Sequence, residues 1–131
     1  MKPRILIIED DETNVEILME ILQDDYTLHV SFSGEEGLDN ICSFAPDIVL
    51  LDVMMPGMNG YEVCRHIRQN PQLAFIKVIL VSAKAMLNER LEGYEAGADD
   101  YITKPFDHSE LIAKLQVFQR LKYAEEMNKV K

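Results

Sequence analysis

Basic residues are scarce in this chain: 13 lysines and arginines stand against 23 aspartates and glutamates, a formal charge of −10 over 131 residues. A surface of that sign repels phosphate backbones, so direct nucleic-acid binding is not expected. Cysteine is nearly absent. Cys42 and Cys64 have no CxxC or histidine spacing around them, which excludes a metal knot or redox motif and leaves two reduced, packed thiols in helices as the expectation. His29, His66 and His108 are scattered and receive no role. No apolar run approaches the ~20 residues of a membrane helix, and Met1-Lys2-Pro3-Arg4 leads directly into a strand rather than a signal-like stretch. A cytoplasmic protein without a membrane span is expected. Glycine-serine linkers, low-complexity tracts and internal repeats are missing, so nothing divides a chain whose length suits one domain.

What the chain has is short, fully apolar runs. Residues 4–8, Asp47 to Leu51 and Lys77 to Val81 are β-branched and leucine-rich without alternation, as central parallel strands covered on both faces require. Thr27 to Phe32 is mixed and Asp100 to Thr103 short, which places both nearer the sheet edges. Between the strands, apolar residues recur at helical spacing: Val15, Leu18, Ile21 and Leu22; Tyr61, Cys64, Ile67 and Arg68; Leu87, Leu91 and Tyr94. The stretch from Glu35 to Phe44 is less regular. Thr13 or Asn14, Ser33 or Gly34, Asn59 or Gly60, and Asp107 or Ser109 or both are the candidate helix starts, and Gly97 a candidate stop for the fourth helix. Strict β–α alternation predicts a doubly wound parallel sheet with right-handed crossovers, an α/β fold that binds ligands at the carboxyl ends of its strands.

Those ends carry chemistry. The first strand runs into Glu9, Asp10 and Asp11, the third into Asp52, the fourth into Ser82, and the fifth into Lys104-Pro105. Clustered carboxylates repel one another, and a divalent cation relieves the cost. Glu9, Asp10, Asp52 and a backbone carbonyl just after Asp52 are hard oxygen ligands suited to Mg²⁺. Paired acids also serve general acid–base catalysis, but a lysine and a hydroxyl at the neighbouring ends suit a bound phosphoryl group better than a sugar. Asp52 is then the nucleophile that becomes an aspartyl phosphate, with Lys104 and Ser82 satisfying the added charge and oxygens. A cis Lys104-Pro105 bond could aim the lysine inward. Singly, each residue reads as a solvated acid, a turn hydroxyl or a surface cation; their joint placement on one sheet edge favours a site.

The segments Ile5-Leu6-Ile7-Ile8-Glu9-Asp10-Asp11-Glu12, Asp47 to Gly60 through Asp52 and Met54-Met55-Pro56-Gly57, Val81-Ser82-Ala83, and Gly97-Ala98-Asp99-Asp100-Tyr101-Ile102-Thr103-Lys104-Pro105-Phe106 together resemble a receiver domain of a two-component response regulator, over residues 4 to about 120. The resemblance implies a flavodoxin-like (βα)5 fold with a five-stranded parallel sheet in the order 2-1-3-4-5. It implies that Asp52 accepts phosphate from a phosphohistidine of a sensor histidine kinase or phosphotransfer protein. It implies Mg²⁺ held by Asp10, Asp52 and the main-chain carbonyl of Met54, with Glu9 acting through a water. By the same resemblance Lys104 contacts the phosphoryl group, Ser82 moves to bind it, and Tyr101 turns inward as the surface of the fourth helix and fifth strand rearranges for a downstream protein or output domain, with a phosphorylation-linked homodimer among the partners. Such a protein is a signalling receiver that catalyses its own phosphoryl transfer and dephosphorylation rather than an enzyme acting on other substrates. Asp11 is an acid beyond the usual pair, and Lys84 stands where the family varies the group that controls water access.

Three rivals remain beside it. A haloacid-dehalogenase-type phosphatase needs a second aspartate where this chain has Met54. A flavodoxin-like electron carrier needs a phosphate-cradling loop where Glu9 to Glu12 would repel one. A degenerate receiver-like module would bind partners without phosphate. At the end of the chain, residues 1–120 read as the phosphoacceptor domain and 121–131 as a charged extension of the last helix, either a connector to an output domain or the long last helix of a single-domain regulator.

Overall fold

The three apolar runs and the two less apolar segments become five strands: β1 (Arg4–Ile8), β2 (Thr27–Ser31), β3 (Ile48–Asp52), β4 (Lys77–Ser82) and β5 (Asp100–Thr103). In the computed structural model, which describes residues 2–130 in backbone and 2–128 in side chain, they form one parallel sheet in the order β2-β1-β3-β4-β5. The fold is thus the flavodoxin-like arrangement expected, with the two less apolar strands at the edges. Five helices alternate with the strands: α1 (Glu12–Leu22), α2 (Gly34–Phe44), α3 (Gly60–Gln69), α4 (Leu87–Glu95) and α5 (His108–Val130).

Successive strand residues face opposite sides of the sheet, and each side builds a core. Leu6, Ile8, Val49, Leu51, Val78 and Leu80 pack with Ile41, Val63, Cys64 and Ile67 of α2 and α3. Ile5, Ile7, Ile48, Leu50 and Ile79 pack on the other side with Leu18 and Leu22 of α1 and Leu111, Leu115 and Phe118 of α5. β1 and β3 sit in the middle, with Ile5 to Ile8 and Ile48 to Leu51 all at most 1% exposed, and each such side chain contributes ~2 kcal/mol of burial. That double cover explains why these strands show no polar alternation.

Helix boundaries follow local chemistry, with three corrections to the sequence reading. The cap of α1 is Asp11, whose carboxylate accepts from the Thr13 and Asn14 N–H groups at 2.8 and 3.2 Å; Thr13 and Asn14 already lie in the helix as donors. Ser33 caps α2, Asn59 and Glu62 form a capping box at α3, and Asp107 accepts from Ser109 and Glu110 at α5. The second correction concerns α4: Leu87, Leu91 and Tyr94, spaced as a core stripe, are 62%, 49% and 43% exposed. The third is Cys42, which is exposed, whereas Cys64 is buried and its thiol pushed up to about 11 by burial.

Gly97 ends α4 with φ +109°, a region side chains disfavour. Arg68 closes the same corner, its guanidinium donating to the Gly97, Ala74 and Ile76 carbonyls and pairing with Asp99 at 2.6 Å. Among the described residues, no helix is long and apolar enough to cross a membrane.

Candidate functional site

The carboxyl edge of the sheet gathers every residue singled out by the sequence except one switch candidate. Glu9 follows β1, Asp52 ends β3, Ser82 ends β4 and Lys104 follows β5. Glu9, Asp10 and Asp52 each offer a carboxylate oxygen within 4.8 Å of the others. Glu9 and Asp52 are 3% and 5% exposed, whereas Asp10 faces solvent. Although the residue is exposed, partial desolvation of its carboxyl beside the other acids raises Asp10 above its ordinary value, and a hydrogen bond to Glu9 and the charges of Glu9 and Asp11 act in the same direction.

Lys104 is the cation of the cluster. Its ammonium lies 2.8 Å from Glu9 Oε1 and 3.3 Å from Asp52 Oδ1, so in this state it bonds the first-strand acid more closely than the third-strand one. Burial pulls the ammonium down, but the Glu9 hydrogen bond and the Asp52 charge outweigh it and its pKa is raised. The Lys104-Pro105 peptide is cis. Ser82 is fully buried and its hydroxyl accepts the Lys84 N–H at 3.1 Å. Beside Asp52, a cleft of about 350 Å³ is lined by Val53, Met54, Met55, Asn59 and Lys84. Tyr101 lies off this edge, 6% exposed, on the α4 side of the sheet.

The loop after Asp52 is pinned by Gly60. A Cβ built on Gly60 meets the Asp52 carbonyl and lies 2.7 Å from Val53 Cα, backbone atoms with no room to yield. Gly60→Ala is therefore expected to lose ~2 kcal/mol of stability, within the usual range for overpacking, and to weaken Mg²⁺-dependent stabilisation as Asp52 shifts. A denaturant titration with and without Mg²⁺ checks both, and wild-type midpoints in each condition would count against the contact.

Two features went unread in the sequence. Asp11, a surplus acid there, is a helix cap, and its N–H also reaches Glu9 Oε2 at 3.3 Å. Tyr61, spaced as a core residue, places its hydroxyl 3.5 Å from that of Tyr101; helical spacing marks burial but not where a hydroxyl ends.

A doubly wound parallel sheet with three acids, a lysine and a buried hydroxyl converging on its carboxyl edge defines a class of flavodoxin-like domains with an acidic site at that edge. The chain belongs to the response regulator receiver domain family, which matches residues 5–116. It is thus a signalling domain of the two-component type, whose family switches with phosphorylation. Response regulator ArlR of Staphylococcus aureus is 37% identical over 118 residues, covering 89% of this chain and 52% of ArlR. The chain accordingly spans about half the length of the curated relatives it matches. Among solved structures, a putative response regulator from Chloroflexus aurantiacus superposes with a TM-score of 0.86 at 34% identity, covering 90% of this chain and 98% of that one. The BeF3-activated receiver domain of DrrB, a Thermotoga maritima OmpR/PhoB homolog, gives 0.84 at 35%, covering 92% and 99%.

Proposed function

We propose that Asp52 is the phosphoacceptor of this receiver. The observation that carries the reading is its position: a nearly buried carboxylate at the end of β3, within reach of Glu9 and Asp10 and 3.3 Å from the Lys104 ammonium. One carboxylate oxygen attacks the phosphorus of a phosphohistidine presented by a sensor histidine kinase or phosphotransfer protein, the P–N bond breaks and the imidazole leaves with its electron pair. Lys104 then holds a phosphoryl oxygen, and the Ser82 hydroxyl turns from the Lys84 N–H to donate to another. Hydrolysis by water returns the carboxylate, with Lys84 beside the cleft.

The donor set fits Mg²⁺: three carboxylates lie together and one ammonium pairs with two of them, an excess of negative charge at hard oxygens. Asp10, Asp52 and the Met54 carbonyl would hold it, with Glu9 reaching it through a water. Mg²⁺ supplies positive charge to the transferred phosphoryl oxygens.

The output surface we assign to α4 and β5. Met86, Leu87, Leu91 and Tyr94 stand exposed there, 43% or more, and an apolar patch on a charged domain favours a protein partner, whether an output domain, a separate protein or a second copy. Residues 1–120 form the receiver and 121–131 a helical connector. In support, α5 runs unbroken to Val130, Lys77 pairs with Glu125 at 2.8 Å, and Lys122 lies 3.8 Å from Asp47 and 4.8 Å from the Phe75 ring centroid. These contacts hold the start of the connector against the amino ends of β3 and β4. Lys131 lies outside the described residues.

The test is intact mass after incubation with acetyl phosphate, with Mg²⁺ and with a chelator. A gain of one phosphoryl group in Mg²⁺ that disappears with chelator is the expected result. No gain, together with no binding of beryllofluoride, would leave a partner-binding module that keeps the fold without the chemistry.

A further inference from the structure

α4 is held to the body by few side chains. Gly93 is its one buried residue, and it backs onto Leu80 and the ring of Tyr101, where a Cβ would lie 2.8 Å from Leu80 Cδ1 and 3.0 Å from Tyr101 Cδ2. The first turn depends instead on polar contacts. Tyr61 of α3, 3% exposed, donates its hydroxyl to the Glu89 carbonyl at 3.0 Å and lies 3.5 Å from the Tyr101 hydroxyl. With its proton committed to Glu89, the Tyr61 oxygen accepts from Tyr101. The Glu89 carboxylate accepts the Met86 N–H at 3.2 Å and lies 3.9 Å from the Lys84 ammonium. The Lys84 N–H is the one that holds Ser82. A continuous chain of contacts therefore joins Ser82 to Tyr101 through Lys84, Glu89 and Tyr61.

We propose that Tyr61 is a positioning residue of the switch: its hydroxyl ties the first turn of α4 to Tyr101 in the unphosphorylated chain and gives up one of these partners when Ser82 turns toward a group on Asp52. This rests on the reading of Asp52 as the phosphoacceptor. A Ser82 that turns releases the Lys84 N–H, the segment from Ala83 to Met86 shifts, and the Glu89 carbonyl moves with the helix it begins. The Tyr61 hydroxyl is too deeply buried for water to replace a lost partner, so the displaced arrangement carries the cost of an unsatisfied polar group. The latch thereby biases the domain toward its unphosphorylated form, and removing it shifts the population toward the phosphoryl-binding one.

Tyr61→Phe keeps the ring and deletes the latch. The chain has five tyrosines and no tryptophan, so beryllofluoride binding in Mg²⁺ can be followed by tyrosine fluorescence for wild type, Asp52→Asn, Tyr61→Phe and Tyr26→Phe. Tyr26 is the matched control, a buried tyrosine whose hydroxyl donates to Gln119 at 2.7 Å, remote from the acids. Wild type and Tyr26→Phe are expected to bind alike, Asp52→Asn not at all, and Tyr61→Phe about five- to tenfold more tightly, the worth of one or two hydrogen bonds. In free Tyr61→Phe, the amides of Glu89 and Arg90, which bond the Met86 carbonyl, are expected to exchange faster. Affinity for Tyr61→Phe equal to or weaker than wild type, with wild type binding normally, overturns the latch. Absence of binding to wild type overturns the Asp52 reading beneath it. If Tyr61→Phe fails to fold, Tyr101→Phe removes the other hydroxyl of the pair and is expected to tighten binding too; unchanged affinity there overturns the proposal equally.

Discussion

Asp52→Asn is expected to abolish phosphoryl uptake from acetyl phosphate, by at least ~10³-fold, while leaving the fold and its thermal stability in the absence of metal essentially unchanged. Asparagine has the same shape and keeps an amide oxygen for the Lys104 ammonium now 3.3 Å away, so the nearly buried position stays filled and hydrogen-bonded. What it lacks is the carboxylate oxygen proposed as nucleophile and one of the three acids proposed to serve the cation. A second consequence separates this account from simple loss of reactivity. Ligand bound only to the folded state stabilises it by ~2.7 kcal/mol at one hundred times Kd, or ~10 °C for a domain of this size. Wild type is expected to gain that with Mg²⁺, and Asp52→Asn far less. A phosphoryl gain that persists in the variant at wild-type stability would move the nucleophile to Glu9 or Asp10 and sink the assignment.

The sheet was legible because its central strands must be apolar on both faces. Ile5 to Ile8 and Ile48 to Leu51 cannot be read as alternating strands or as surface helices, and the acids and lysine that end such runs stand out by contrast. The strand order was implied by the resemblance to receiver domains, and it brings the Glu9-Asp10 pair, Asp52, Ser82 and Lys104 to one edge from four separate stretches of the sequence. α4 was legible as a helix but not as to its faces. Leu87, Leu91 and Tyr94 have core spacing, yet the residue that meets the sheet is Gly93, which leaves Tyr101 room beneath it. An apolar periodicity reports that a face wants cover without saying whether this chain supplies it. Hydrogen-bond partners were the other blind spot. No pattern distinguishes Asp11 as a cap from Asp11 as a metal ligand, or shows that the Tyr61 hydroxyl ends on a carbonyl of α4, because both depend on angstrom-scale placement of loops. The same limit explains why Lys104 was assigned to Asp52 and the phosphoryl group, when the closer contact here is Glu9.

That closer contact makes Lys104 a structural cation beside its proposed role as phosphoryl ligand, and Lys104→Met tests both. Methionine preserves length and apolar stem but leaves the Glu9 and Asp52 carboxylates, 4% and 6% exposed in their side chains, without a counter-charge. Breaking a buried pair by removing one partner costs ~3–5 kcal/mol, and since Lys104 itself is 21% exposed, solvent screening brings the expectation to ~2–3 kcal/mol. The pH dependence has a definite sign. The Lys104 pKa is raised in the folded state, so the stability it adds is fully present below the ordinary lysine value of 10.5 and is lost only as pH rises through the higher folded value. The gap between wild type and Lys104→Met in chelator should therefore stay flat across neutral pH and close only above ~10.5. Mg²⁺ should also close it, since a divalent cation neutralises the same carboxylates, yet labelling by acetyl phosphate should remain at least ~10²-fold down because no ammonium meets the phosphoryl oxygens. Thermal melts at pH 7 and 9 with and without Mg²⁺, set beside labelling rates, separate the two roles. A variant that is fully stable without metal would show that Glu9 and Asp52 do not need the lysine, and a variant that labels normally in Mg²⁺ would show that the phosphoryl group does not.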